Sequence, residues 1–248
     1  MLKNDKSLGQ HWLKNREILD EIAAAATGPE AKFCLEIGPG LGTLTSSLLR
    51  CFNKVLAVEF DERLAHNLPN SFPGKNLEVV NADFLKFDLE SLDGPYVVAG
   101  NIPYYITSPI IEKLLNAKNR PAKVVLLIQK EVAERIADEK QTLLSLFVQN
   151  RADVELGTVV VKGEFTPPPK VDSQVIILTP HDPRISDEVF KLIKLGFIAP
   201  RKKLLANLSH LKSKSEILSV FEQLGINSDS RPADLSLEDW DGLFEKLV

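Results

Sequence analysis

Cysteine is scarce in this chain, with two among 248 residues. Cys34 and Cys51 are too far apart for a CxxC motif, and Cys34 lies inside an apolar run typical of a buried strand. The four histidines are scattered, and none has a partner at metal-ligand spacing. The sequence therefore predicts reduced cysteines in a reducing compartment, no metal site and no nucleophilic triad.

Long apolar runs are also missing. Uninterrupted stretches such as 124–128 are far too short to span a bilayer. Residues 1–16 are charged and lack the apolar centre of a signal peptide. We therefore expect a cytoplasmic protein that does not bind a membrane, and we expect it to be a monomer.

An excess of positive charge is the third missing feature, because the formal net charge is −4. This value counts against a nucleic-acid partner, since phosphate binding depends mostly on Lys and Arg. The charge is uneven, however: residues 184–214 contain eight Lys or Arg and only two Asp or Glu. Arg201, Lys202 and Lys203 are the candidate RNA contacts in this stretch, and an ordinary solvated helix surface is the alternative.

Strand-like runs alternate with amphipathic helical patterns up to about residue 180. The strands are predicted at 33–37, 54–59, 77–81, 96–99, 123–128, 154–161 and 174–178. Helical patterns separate the first five, which indicates an α/β fold with an open, mostly parallel sheet covered on both faces. A proline-rich turn at 166–170 joins the last two runs and favours an antiparallel hairpin at the edge of the sheet.

The pattern changes near residue 183. Helices are predicted at 186–198, 202–211, 214–224 and 236–247. The segment 179–183 interrupts both strand and helix patterns, so we place a domain boundary there, with domains at 1–181 and 182–248.

A glycine turn follows the first strand, at the carboxyl edge where open α/β sheets bind ligands. Its glycines are Gly38, Gly40 and Gly42. Glu59 ends the second strand, where a carboxylate would accept two ribose hydroxyls, and Asp83 follows the third, where it would accept from an adenine amino group. Thr43 stands where a G-x-G-x-x-G dinucleotide motif needs glycine, so a mononucleotide-like ligand is favoured. Taken singly, each carboxylate is better explained as a strand end that faces water, but three groups at successive strand ends favour a ligand site.

The fourth strand leads into a turn suited to holding a planar base. This turn is Asn101-Ile102-Pro103-Tyr104. The Asn101 side-chain oxygen and the Ile102 carbonyl can accept both hydrogens of an exocyclic amine, while Tyr104 stacks on the base. Such positioning can supply roughly 7–11 kcal/mol of the barrier to methyl transfer. Phe165 is a candidate for the other face of the base, with an ordinary core aromatic as the alternative.

The two features together favour S-adenosylmethionine-dependent methylation of an amino nitrogen on a flipped-out base. A dinucleotide oxidoreductase is disfavoured by Thr43. A non-catalytic ribosome-assembly factor that keeps this fold is a second alternative.

Five segments resemble the ribosomal RNA adenine dimethyltransferases along nearly the whole chain. They are Gly9-Gln10-His11-Trp12-Leu13, Glu36-Ile37-Gly38-Pro39-Gly40-Leu41-Gly42, Asn101-Ile102-Pro103-Tyr104, Gln129-Lys130-Glu131-Val132-Ala133 and Phe165-Thr166-Pro167-Pro168-Pro169-Lys170-Val171-Asp172-Ser173. The segment 171–173 is more similar to the KsgA-type small-subunit enzymes than to the Erm-type enzymes that modify 23S rRNA.

This resemblance implies a class I methyltransferase sheet, a helical C-terminal RNA-binding domain and S-adenosylmethionine as methyl donor. It implies dimethylation of two adjacent adenines near the 3′ end of 16S rRNA in the immature 30S subunit. It also implies that segment 1–16 covers the cofactor. The cofactor contacts that it implies are His11, Leu13, Gly38, Glu59, Asp83 and Asn101, with Gly40 in the same turn.

Overall fold

The computed structural model describes residues 10–28 and 31–248. The chain divides into two compact units. The first comprises the described residues up to Glu134 together with Asp153–Pro180, and the second comprises Arg135–Ala152 and His181–Val248. Within the described part of the chain, no helix is both long and apolar enough to cross a membrane.

The first unit is built on a seven-stranded sheet in the order β4-β3-β2-β5-β6-β9-β7, with a separate two-stranded sheet of β1 and β8. The strands are β1 Trp12–Leu13, β2 Phe33–Ile37, β3 Val55–Glu59, β4 Leu77–Asn81, β5 Tyr96–Asn101, β6 Lys123–Gln129, β7 Ala152–Val160, β8 Phe165–Thr166 and β9 Ser173–Pro180. The pairs β2–β3, β3–β4, β2–β5 and β5–β6 are parallel, and β9 is antiparallel to β6. The predicted α/β class with a mostly parallel sheet is confirmed.

The central strands β2 and β3 are buried along their whole length, as expected for a sheet covered on both faces. The helices of this unit are α1 Arg16–Ala25, α2 Thr43–Cys51, α3 Glu62–Asn67, α4 Thr107–Asn116 and α5 Lys130–Ala137, the last of which ends in the second unit. Asn15 caps α1 and Asp61 caps α3 through side-chain oxygens that accept backbone N–H groups of the first turn. These caps fix where the chain turns back from each strand end.

The second unit is helical. Its helices are α6 Leu143–Gln149, α7 Asp187–Gly196, α8 Leu204–Leu208, α9 Lys214–Leu224 and α10 Leu237–Leu247. Trp240 is fully buried in its core, and the chain approaches so closely there that a Cβ on Gly196 would lie 2.2 Å from the indole.

The segment 135–152 belongs to the second unit, whereas the sequence analysis placed it in the first domain. Tertiary packing explains the difference. Phe147 of α6 packs edge-on against Phe190 of α7, with ring centroids 5.7 Å apart. The Asn150 side chain accepts the Ile185 N–H at 2.8 Å, and the Arg151 guanidinium lies over the Phe190 ring, 5.4 Å from its centroid. These contacts join residues about 35–43 positions apart, which local periodicity does not reveal.

Candidate active site

A cavity of about 270 Å³ lies at the carboxyl ends of the strands of the first unit. The residues after β2, β3, β4 and β5 line it, together with Gln10, His11 and Trp12. This is the edge at which open parallel sheets bind ligands. Most of the predicted site residues meet here: His11, Gly38, Gly40, Glu59, Asp83, Asn101, Ile102, Pro103 and Tyr104.

The turn after β2 needs glycine for two separate reasons. Gly38 and Gly40 have φ values of +64° and +57°, in the left-handed region that other residues rarely adopt. A Cβ on Gly38 would meet no atom within 4 Å, so the cavity is open above it. A Cβ on Gly40 would lie 3.0 Å from the indole nitrogen of Trp12. The turn therefore leaves space over Gly38 and supports Trp12 at Gly40.

Glu59 is held in place at the end of β3. Its Oε2 accepts the Gly40 N–H at 2.9 Å, and its Oε1 accepts the Asp61 N–H at 2.8 Å. The side chain is buried, which raises the pKa of the carboxyl, while the two backbone donors oppose that shift. Each oxygen keeps a second lone pair that can accept from a ligand.

Glu36 of β2 is a second buried carboxyl group at the cavity. Its residue exposure is 1%, and among the described residues no hydrogen-bond donor reaches its Oε2. Burial raises the pKa of Glu36 to about 8, and the nearby charge of Glu59 adds to this effect. In the free protein the Glu36 carboxyl therefore holds its proton to a higher pH than an exposed glutamate does.

Asp83 lies beyond β4, and its Oδ1 accepts the Leu85 N–H at 2.9 Å. Two cavity residues absent from the sequence prediction follow the carboxylates directly: Phe60 comes after Glu59 and Phe84 after Asp83. Phe60 is 62% exposed, whereas Phe84 is buried. Both Phe60 and Phe84 could have been predicted as cavity residues, because each follows directly after a carboxylate that the sequence already placed at the site.

The amide of Asn101 has a defined orientation. Its Nδ2 donates to the backbone carbonyl of His11 at 2.9 Å. His11 is itself held by a hydrogen bond between its Nδ1 and the carbonyl of Pro167, at 2.8 Å. The amide nitrogen of Asn101 is thus engaged by the protein, which leaves its Oδ1 as the acceptor for a ligand.

Tyr104 is half-buried and restrained at two points. Its hydroxyl lies 2.7 Å from Oγ of Ser173, and its ring stacks on the His11 ring with centroids 6.2 Å apart and an interplanar angle of 20°. Burial raises the pKa of Tyr104, so the hydroxyl remains neutral. Ser173 is a further residue of this site that the sequence analysis did not assign.

Leu13 and Phe165 do not line the cavity. They are partners across the small β1–β8 sheet and are both buried in the hydrophobic core. Phe165 therefore occupies the position expected of an ordinary core aromatic, which was the alternative to a place on the second face of the base. Gly9 and the rest of the expected cofactor-covering segment before Gln10 lie outside the described residues.

The basic triplet lies in the second unit. Arg201, Lys202 and Lys203 are all exposed and directly precede α8. Lys203 forms an ion pair with Asp229 at 2.5 Å.

An open, mostly parallel sheet with a glycine turn after β2 and carboxylates after β3 and β4 defines a class I methyltransferase. The family model "Ribosomal RNA adenine dimethylase" matches residues 1–248. The chain belongs to this family of methyltransferases.

Curated relatives agree with this assignment. "Ribosomal RNA small subunit methyltransferase A" of Thermosynechococcus vestitus is 40% identical over 100% of this chain and 98% of its own length. The protein of the same name from Dehalococcoides mccartyi strain CBDB1 is 38% identical over 96% of this chain and 87% of its own length.

Two solved structures share the fold. A dimethyladenosine transferase from Plasmodium falciparum has a TM-score of 0.79 at 31% identity, covering 94% of this chain and 96% of that one. The 23S rRNA methyltransferase ErmE also has a TM-score of 0.79, at 28% identity, covering 95% of this chain and 99% of that one.

Proposed function

We propose that this protein uses S-adenosylmethionine to dimethylate N6 of two adjacent adenines near the 3′ end of 16S rRNA. Its substrate is the immature 30S subunit, and it acts as a cytoplasmic monomer. The family match and the small-subunit names of the curated relatives support the reaction and the rRNA target. The observation that carries the chemistry is the orientation of Asn101, whose amide oxygen is left to accept from a base.

The residues around the glycine turn fit the proposed cofactor. The open space above Gly38 and the unpaired Oε2 of buried Glu36 indicate a place for a ligand with positive charge. Glu59 would hold the ribose hydroxyls and Asp83 the adenine amino group, while His11 closes the cavity from the N-terminal side. When bound, S-adenosylmethionine supplies an already activated methyl group, so the protein needs neither a strong base nor a metal for this step.

The turn after β5 prepares the acceptor adenine. The Asn101 Oδ1 and the Ile102 carbonyl accept the two N6 hydrogens, and the Tyr104 ring stacks on the base. In the first transfer, engaging both hydrogens would direct the nitrogen lone pair away from the base plane, toward the incoming methyl group, and one N6 proton would then pass to water. The singly methylated nitrogen keeps one hydrogen for the second transfer. Pro103 shapes this turn, and the buried side chain of Ile102 excludes water from it. Phe165 and Leu13 pack in the hydrophobic core.

In the second unit, Arg201, Lys202 and Lys203 contact rRNA phosphates. Their exposure and their clustering on a chain of net negative charge support this role.

The decisive experiment is methyl transfer to 30S particles from a strain that lacks these methyl groups, with radiolabelled S-adenosylmethionine. We expect label in N6,N6-dimethyladenosine at two adjacent positions of the 16S rRNA. Asn101→Ala is the control for catalysis by this site. Absence of transfer to immature and mature 30S particles alike would refute the proposal.

The structural likeness to ErmE makes 23S rRNA the second candidate substrate. The same assay with protein-free 23S rRNA distinguishes the two. Labelling of 23S rRNA without labelling of 30S particles would replace the small-subunit assignment.

A further inference from the structure

The hydroxyl of Tyr104 is hydrogen-bonded to a residue far away in the sequence. Oγ of Ser173 lies 2.7 Å from it, across 69 positions of the chain. Ser173 is fully buried, and its side chain takes part in this hydrogen bond. Tyr105, the next residue in the same turn, is 66% exposed. The two neighbouring tyrosines therefore differ sharply in how firmly they are held.

Ser173 is a rigid anchor for that hydrogen bond. It is the first residue of β9 and lies in register with Gln129 of β6. The preceding residue, Asp172, accepts two backbone N–H groups: its carbonyl accepts from Lys130 at 3.0 Å, and its Oδ1 accepts from Lys162 at 2.9 Å. A bond to Ser173 therefore ties the tip of the Tyr104 ring to the central sheet.

The second restraint on the ring acts at its face. The His11 ring stacks against Tyr104, and the His11 carbonyl holds the Asn101 amide. The face contact limits movement perpendicular to the ring, but it still allows the ring to slide or tilt about its Cβ. The bond at the hydroxyl fixes the position of the ring tip, while stacking on His11 restrains rotation of the ring about its long axis.

We infer that Ser173 is a positioning residue, which through its hydrogen bond to Tyr104 sets the position of the ring on which the acceptor adenine stacks. The inference rests on the proposed function, because it requires an adenine on Tyr104. Orientation of the acceptor contributes to the rate of the chemical step more than to cofactor binding. Loss of the Ser173 hydroxyl should therefore lower kcat and leave cofactor affinity intact.

The test is a double-mutant cycle with Ser173→Ala, Tyr104→Phe and the double variant, assayed on unmethylated 30S particles. Each single change removes the same hydrogen bond, so each should lower kcat about fivefold, the size expected for one such bond. The double variant should show the same fivefold loss and no more. The affinity for S-adenosylmethionine, measured by calorimetry, should stay within twofold of wild type.

Tyr96→Phe is the matched control. It removes a tyrosine hydroxyl that donates to the Asn119 carbonyl at 2.7 Å. Tyr96 is the first residue of β5, the strand that leads to the Tyr104 turn, and lies at the end away from the cavity. We expect it to lower the melting temperature and to leave kcat unchanged.

Three results would overturn the inference: wild-type kcat in either single variant, losses that multiply in the double variant, or an equal loss of kcat in Tyr96→Phe. If Ser173→Ala does not fold, Tyr104→Phe still tests the same bond from its other end. Failure of the wild-type protein to methylate 30S particles would instead refute the proposed function.

Discussion

Replacing Glu36 with glutamine should make the stability of the free protein less sensitive to pH. Burial raises the pKa of Glu36 from 4.5 to about 8, so the folded protein keeps this proton when the unfolded chain has released it. Between those two pH values the folded state binds more protons than the unfolded state. The free energy of unfolding therefore falls as pH rises, until the folded carboxyl also ionises near pH 8.

The size of the effect follows from the pH interval. One pH unit over which the two states differ by a whole proton is worth about 1.36 kcal/mol. The interval from pH 6 to the pKa of the folded protein is about two pH units. Ionisation of Glu36 should therefore lower the free energy of unfolding of the wild type by about 3 kcal/mol between pH 6 and pH 9. Glu36→Gln resembles the protonated side chain in shape and cannot ionise, so it should not show this loss.

Urea denaturation of the wild type and Glu36→Gln at pH 6 and pH 9, without cofactor, measures the difference directly. Comparing the two proteins cancels the titration of the groups that do not interact with Glu36. Glu155→Gln, which removes an exposed carboxylate from β7, is the control for the change in net charge and should behave like wild type. If wild type and Glu36→Gln lose stability in parallel, Glu36 is already ionised at pH 6 and the reasoning is wrong.

Three further predictions concern the two proposed binding surfaces. Asn101→Ala should reduce methyl transfer at least a hundredfold while calorimetry still detects cofactor binding, because the lost acceptor acts mainly in the transition state. A rate within a few-fold of wild type would contradict the role of Asn101. Glu59→Ala should weaken cofactor binding at least tenfold, since a charge-assisted hydrogen bond is worth roughly 1.5–3 kcal/mol, and unchanged affinity by calorimetry would rule out the ribose contact. Neutralising Arg201, Lys202 and Lys203 together should weaken 30S binding in filter assays, less so as salt rises, and leave cofactor affinity unchanged. Normal binding by this triple variant at low salt would show that the triplet is only a solvated surface.

The strands could be predicted from the sequence because most of them are short apolar runs with clear ends. The run predicted at 96–99 proved longer, since β5 extends to Asn101. Gly100 and Asn101 are poor strand formers, yet they pair with Leu126 and Leu127 of β6. The hydrogen-bonded pairing with β6 outweighs the low strand propensity of these two residues. Asn101 therefore reaches the cavity as the last residue of a strand rather than as part of a loop.

Most residues that meet at the cavity were predicted from the sequence, but the contacts that hold them in place were not. The strand-end positions of Gly38, Glu59 and Asp83 follow from topology alone, and the structure brings them to one cavity. The small β1–β8 sheet joins residues more than 150 positions apart through two residue pairs, which leaves no local pattern. For this reason the pairing of Phe165 with Leu13 and the hydrogen bond between His11 and Pro167 could not be foreseen.

The order of the sheet also constrains how the protein can fold during synthesis. β7 stands at one end, and its neighbour in the seven-stranded sheet is β9, which comes later in the chain and lies between β7 and β6. When a nascent chain has emerged from the ribosome only as far as residue 172, the residues of β7 are outside, but β9, the strand that joins β7 to the sheet, is not. Vectorial synthesis thus leaves an unpaired edge exposed until Ser173–Pro180 emerges. Ribosome-stalled chains that end before this strand should therefore be more sensitive to protease than chains that include it. The sheet can be completed only after β9 has been synthesised.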